Sequence, residues 1–228
     1  MSNSNDKLHK VKSTMIGHPQ IIKIVAKLIS YIFHPVFVPI YIAWFLVYEH
    51  PYLFAGFGPR EKLFVMAQAF AMFTFFPLVT VLLLKALHFI ESIQLKKQKD
   101  RIIPLIACMV WYFWIWRVWK NLPGYPQAAI VFAMAVFVSS WIGLMANVKI
   151  KISLHAIAMG IAVAFLLLLA FTQELNFGLY IAVALLIAGL VCTSRLAVSD
   201  HTVKEVYIGF VAGVISVLIA RYIGMFWE

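Results

Sequence analysis

The sequence predicts an all-α protein, a polytopic transmembrane helix bundle of six to seven spans. Of its 228 residues, 64% are hydrophobic and only 12% are charged, and the mean hydropathy is +0.93. A soluble domain of this length could not hide so much apolar surface, so lipid must surround most of the chain. The apolar runs also lack the polar–apolar alternation of a membrane barrel strand, which leaves helices as the structures that satisfy their backbone in lipid.

The chain divides into a basic N-terminal tail, residues 1–27, and one transmembrane domain, residues 28–228. The end of the tail has the pattern of an amphipathic interfacial helix. The domain contains apolar runs that each approach the ~20 residues needed to cross a bilayer. We place these runs at 28–48, 62–86, 102–119, 127–146, 153–171, 177–194 and 205–226.

Charge is distributed unevenly between the two sides that these spans define. The chain has 19 Lys and Arg against 9 Asp and Glu, a net charge of +10. Fourteen of the 19 fall on the side of the N-terminus, which we therefore expect to be cytoplasmic. A membrane explains the basic excess better than nucleic acid does, so no nucleic-acid partner is expected. Cys108 and Cys192 lie inside apolar runs and predict neither a disulfide framework nor a metal site.

Three connections on this side carry an unusual set of ionisable and hydroxyl side chains. They lie at 96–104, 149–155 and 194–209. Short motifs at one face of a helix bundle can converge into a single pocket, so we expect these three to meet. The candidate site residues are Lys97, Arg101, Lys151, Ser153, His155, Arg195, His201 and Glu205.

This combination is typical of a phosphate site. Arg offers planar bidentate donors, Lys a point charge, and helix N-termini add backbone donors and positive dipole ends. Two histidines can divide the chemistry, one attacking phosphorus and the other protonating the leaving oxygen. His201 and Glu205 lie four residues apart at the expected start of a helix. Glu205 can therefore accept the ring N–H of His201, which leaves the other ring nitrogen free to attack.

Simpler explanations stay open for the same residues. Lysines at a membrane face are commonly positive-inside anchors, and Arg195 can reach the lipid headgroups. Histidines near helix ends are usually hydrogen-bonded to a neighbour and do nothing more. His34 is a functional candidate because it lies in a membrane span, but Pro35 and Pro39 favour a kink in which it packs.

Residues 194–209 resemble the third motif of the type 2 phosphatidic acid phosphatase superfamily. These are integral membrane phosphatases of lipid phosphates and isoprenyl diphosphates. The family pattern is Ser-Arg, five residues, His, three residues, Asp-Val, and a Gly three residues after the Val. The chain has this spacing, with Glu in the place of Asp, at Ser194, Arg195, His201, Glu205, Val206 and Gly209.

The other two family motifs are matched less closely. Residues 152–155, Ile-Ser-Leu-His, are similar to the second motif, Pro-Ser-Gly-His, in their Ser and His. The first motif, Lys, six residues, Arg-Pro, has Arg101 as its best equivalent and Lys97 as a substitute for its Lys, with Pro104 two places late. The resemblance covers roughly residues 94–213, with the three motifs in the family's order.

The resemblance implies a function and a role for each residue. His201 would be the nucleophile that forms a phosphohistidine, His155 the general acid, and Glu205 the group that orients His201. Arg195, Arg101 and Lys97 would hold the phosphate, with Ser153 donating to it and Lys151 nearby, and no metal or other cofactor is implied. The expected protein is a lipid-phosphate phosphatase of a bacterial inner membrane. Its substrate would be phosphatidate, phosphatidylglycerol phosphate or an isoprenyl diphosphate.

Alternatives remain beside this hypothesis. The chain could be a non-catalytic membrane protein that binds phosphorylated lipid or serves as a scaffold, with membrane lipids as its other partners. A b-type haem protein is disfavoured because His155 and His201 sit at the ends of spans. Many bacterial relatives act on the outer face, whereas the charge bias favours the cytoplasmic face. The sequence leaves this conflict, the lipid and the oligomeric state open.

Overall fold

The computed structural model describes residues 20–93, 95, 98–198 and 201–226, and within these ranges the chain is built from helices alone. We number eight helices in chain order. They are α1 Gln20–Ile32, α2 Val38–Glu49, α3 Pro59–Ala86, α4 Lys99–Asn121, α5 Gln127–Lys149, α6 Leu154–Thr172, α7 Gly178–Val198 and α8 Val203–Gly224.

Helices α3 to α8 are long and apolar enough to cross a membrane, which confirms the predicted all-α membrane bundle. Helices α5 and α6 are the most buried of the six, and they form the centre of the bundle. Large apolar side chains on the outer surface, such as Phe171 and Leu186, are exposed. This arrangement is expected when the surrounding solvent is lipid rather than water.

The first predicted span, residues 28–48, is two helices instead of one. Helix α1 ends at Ile32 and α2 begins at Val38, so α1 also runs across the tail boundary expected at residue 28. Pro35 explains the break, because proline lacks the backbone N–H of a continuous helix and its ring clashes with the preceding turn. The hydroxyl of Thr74 in α3 donates to the carbonyl of Val36 at 2.9 Å, which satisfies a backbone group that the break frees.

Helix α2 nevertheless leads the chain from one end of α6 to the other. The ring of His34, before α2, contacts the ring of His155 in the first turn of α6. His50, after α2, bonds Gln173, which follows the last residue of α6. The alternation of sides that the sequence predicted is therefore retained, although the helix that makes this crossing is short.

The helix ends that carry the three motifs lie together at one end of the bundle. The amide of Asn147, near the end of α5, donates to the carbonyl of Gln98 at 2.9 Å, just before α4. The backbone N–H of Ser153, before α6, donates to the carbonyl of Glu205 in α8 at 3.4 Å. The starts of α4, α6 and α8 thus meet at one face, as expected.

A very close crossing of α6 and α8 fixes this meeting point. A Cβ at Gly213 would overlap the carbonyl oxygen of Ile157, and a Cβ at Gly160 would overlap that of Phe210. At Gly209 a Cβ would lie 2.7 Å from the carbonyl oxygen of Ser153. Small residues let membrane helices approach in this way, and here they bring the second and third motifs into contact.

Candidate functional site

His201 is held by the carboxylate of Glu205 just before α8 begins. Its Nδ1 lies 3.0 Å from Glu205 Oε2, and the imidazole is buried, with 8% of the residue exposed. Since a carboxylate only accepts, Nδ1 carries the proton of the neutral ring and Nε2 is unprotonated. This is the nitrogen arrangement expected for a nucleophile.

The contact arises from the helix cap rather than from a shared helix face. His201 precedes the N-cap residue of α8, Thr202, whose hydroxyl accepts from the N–H of Glu205 at 3.3 Å. Glu205 Oε2 in turn accepts from the N–H of Thr202 at 3.0 Å. The sequence Thr202-x-x-Glu205 is a capping box, a pattern that predicts this bond from the sequence.

His155 lies in the first turn of α6 and is half-buried. Its Nε2 lies 3.1 Å from the carbonyl oxygen of Ser30 in α1. A carbonyl only accepts, so Nε2 carries a proton and is engaged by α1. His155 can therefore protonate a leaving group only when its ring is doubly protonated, either through Nδ1 or, once α1 releases it, through Nε2.

Arg101 is the buried cation of the site, with 7% of the residue exposed. Its Nε donates to the carbonyl of Leu95 at 2.9 Å and one terminal nitrogen donates to that of Ile152 at 2.8 Å. These bonds use two of its five donors and orient the planar guanidinium. They also tie the first motif to the residue that precedes Ser153 in the second.

A cavity of about 370 Å³ collects the polar groups at one of its ends. Its walls are mostly apolar and come chiefly from α2 to α6, with side chains such as Leu105, Val136 and Ile161, while α1 contributes Tyr31 and α7 contributes Arg195. The polar and ionisable side chains around it that bear on phosphate chemistry are His34, Arg101, His155, Arg195 and His201. Four of these five were predicted, and the fifth, His34, was assigned to packing.

His201, which precedes the spanning helix α8, is held neutral. Burial lowers the pKa of His201, and Arg101 and Arg195 act in the same direction while the hydrogen bond to Glu205 opposes them. Protonating this ring would add a cation beside guanidinium groups, so it is neutral at pH 7.

Three of the predicted phosphate ligands, Ser153, Lys151 and Lys97, are not among the described residues of the cavity. Two of them lie away from its lining, and the third lies outside the described ranges. Ser153 is fully buried and is the N-cap of α6, where its hydroxyl accepts from the N–H of Ala156 at 3.4 Å. Neither Ser153 nor Lys151 is among the residues that line the cavity. Lys97 lies outside the described residues. Their roles in phosphate binding stay predictions.

No group of three or more His, Cys, Asp or Glu side chains in the described ranges is arranged to hold a metal ion. Comparison with known proteins does not add a relative: no protein-family model, no curated protein and no solved structure matches the chain.

The arrangement suits an anion attached to an apolar chain. Two guanidinium groups and three imidazoles surround the polar end of the cavity. Glu205 is the carboxylate paired with His201, and its charge is shared with the cap of α8. Guanidinium donors in a site screened from water bind phosphate oxygens strongly, and the apolar walls provide room for hydrocarbon.

Proposed function

We propose that the chain is an integral membrane lipid-phosphate phosphatase that acts through a phosphohistidine on His201. The observation that carries the proposal is the pairing of His201 Nδ1 with Glu205, 3.0 Å away, at a cavity also lined by Arg101 and Arg195. This pairing leaves Nε2 unprotonated. The two guanidinium groups supply positive charge beside the negative charge that would develop on a phosphoryl group in the transition state.

The reaction has two steps. His201 Nε2 attacks phosphorus, the N–P bond forms, and the bond from phosphorus to the leaving oxygen breaks. The leaving oxygen belongs to the lipid alcohol, or to a lipid monophosphate when the substrate is a diphosphate, and it takes a proton from His155. Water then attacks phosphorus, the N–P bond breaks, and inorganic phosphate leaves while His155 accepts the proton of the water. Glu205 stabilises the positive charge that His201 gains in the first step.

The apolar walls support a lipid as the substrate. A phosphate bound by Arg101 and Arg195 would place its ester oxygen toward side chains such as Leu105 and Val136. Phosphatidate, phosphatidylglycerol phosphate and isoprenyl diphosphates all combine a phosphate with hydrocarbon in this way. The cavity supports the class without distinguishing among the three.

A second candidate function is the binding of a phosphorylated lipid without turnover. The hydrogen bond from His155 Nε2 to the carbonyl of Ser30 favours it, because this bond occupies a proton that a general acid would deliver. The capping role of Ser153 and the absence of Lys151 from the cavity lining also favour this second candidate over the phosphatase.

A screen of phosphate release separates the two candidates. Purified protein in a neutral detergent is incubated with phosphatidate, phosphatidylglycerol phosphate or undecaprenyl diphosphate, and inorganic phosphate is measured. We expect release from at least one of the three lipids, at a rate that saturates with lipid concentration. Binding of these lipids with no release of phosphate would refute the phosphatase and support the binding protein.

We also propose that the site is on the cytoplasmic face of a bacterial inner membrane, because the spans predicted from the sequence put 14 of the 19 Lys and Arg on the side of the three motifs. In a variant that lacks Cys108 and Cys192, Lys204→Cys at the site end should resist an impermeant maleimide in intact cells. Glu174→Cys, exposed at the opposite end of the bundle, should be labelled. The reverse pattern would contradict this orientation and favour a site on the outer face.

A further inference from the structure

The break between α1 and α2 is irregular backbone inside a membrane bundle. Such backbone is tolerated where protein buries it or where it lines a cavity, and broken helices of membrane transporters carry substrate sites for this reason. Residues 34–37 line the cavity that holds the candidate site. The bond from Thr74 to the carbonyl of Val36 fixes the break in place. A tertiary contact therefore holds the backbone conformation of the break.

The ring of His34 has one nitrogen engaged and one available as a donor. Its Nδ1 accepts from the N–H of Val36 at 3.4 Å. Because a backbone N–H only donates, Nδ1 is unprotonated and the proton of the neutral ring is on Nε2. Nε2 makes no hydrogen bond to any residue in the described ranges. Nε2–H is therefore available as a donor.

The position of His34 puts this donor beside the groups assigned to phosphate. Its ring centroid is 5.2 Å from that of His155, with the two ring planes at 85°. Arg195 lines the same cavity. His34 is half-buried, and an anion in the cavity would supply the acceptor that its Nε2–H does not have among the described residues.

We propose that His34 is a phosphate-binding residue of this site, and that its Nε2–H donates a hydrogen bond to a phosphate oxygen of the bound lipid. The inference rests on the proposed use of the cavity for a phosphorylated lipid, though it does not require turnover. His34 lies outside the three motifs that resemble the phosphatase superfamily, so the site draws on the first crossing of the membrane as well. The competing explanation is that the ring only packs against His155.

Two variants separate donation from packing. His34→Phe keeps a ring that can pack against His155 and removes the donor, whereas His34→Gln keeps an N–H donor and removes the ring. The probe is dodecyl phosphate, an alkyl phosphate with one chain, and dodecanol is the matched probe without phosphate. The dissociation constant of each is measured by calorimetry on the purified full-length protein in a neutral detergent.

We expect His34→Phe to weaken the binding of dodecyl phosphate about tenfold or more, the usual effect of losing a hydrogen bond to a charged group. It should leave the binding of dodecanol unchanged, and His34→Gln should bind dodecyl phosphate nearly as well as the unsubstituted protein. Equal losses for both probes, or no loss for either, would overturn the inference. An unsubstituted protein that does not prefer dodecyl phosphate over dodecanol would overturn it together with the proposed function. Selective binding without phosphate release would refute the phosphatase alone.

Discussion

Replacing His201 with Ala should abolish phosphate release from the lipid that the protein hydrolyses. We expect a loss of at least about 10⁴-fold in kcat, because no other group can form the covalent intermediate. His155→Ala should lower kcat by about 10²–10⁴-fold, the usual contribution of a positioned general acid. The measurement is the initial rate of phosphate release. A rapid quench with radiolabelled lipid should also trap phosphoprotein in the unsubstituted chain and none in His201→Ala.

His88→Asn is the matched control for these variants. His88 follows α3 at the same end of the bundle, and it is exposed and does not line the cavity. Its φ is 62°, a conformation that Asn tolerates better than most residues. The control should keep its full rate and its phosphoprotein. Normal turnover in His201→Ala, or an equal loss in His88→Asn, would refute the assignment of His201 as nucleophile.

Gly213→Ala should destabilise the bundle by about 1–3 kcal/mol, the usual cost of forcing an added carbon into a packed core. The new Cβ would overlap the carbonyl oxygen of Ile157, which is backbone and cannot rotate away. Helices α6 and α8 would have to separate, which would also draw His201 away from the start of α6. Unfolding in mixed micelles, titrated with sodium dodecyl sulfate and followed by circular dichroism, measures the change.

Gly189→Ala in α7 is the matched control, because a Cβ at Gly189 meets nothing within 4 Å. It should leave the unfolding midpoint unchanged or raise it slightly, since Ala favours a helix more than Gly does. If the two variants unfold alike, the close crossing of α6 and α8 does not contribute to stability in the way we infer.

The six long helices could be predicted because every segment that spans lipid must have apolar side chains and must satisfy its own backbone hydrogen bonds. A run such as 127–146 must be apolar and helical wherever it packs, and the structure extends it only to Gln127–Lys149. The close crossing of α6 and α8 could be anticipated in part. Gly209 belongs to a motif visible in the sequence, but Gly160 has its partner, Phe210, fifty residues away.

The predictions that differ from the structure depend on tertiary contacts. Pro35 indicated a kink, but the bond from His155 to Ser30 joins residues 125 positions apart, and no local pattern predicts it. The packing assigned to His34 is found, since its ring contacts that of His155, but no local pattern showed that both rings line one cavity. Ser153 was predicted to donate to phosphate, whereas in the structure it is the N-cap of α6 and its hydroxyl accepts from the N–H of Ala156.

The capping box at the start of α8 makes the proposed chemistry depend on whether the first turn of this helix is closed. One carboxylate oxygen of Glu205 accepts from both Thr202 and His201, so opening the first turn of α8 also breaks the bond between Glu205 and the imidazole. First turns open at far lower free energy than whole helices do. In the proposed phosphatase, warming would therefore inactivate the enzyme well before the bundle melts, and a bound substrate that orders this turn would protect activity without raising the melting temperature of the remaining helices.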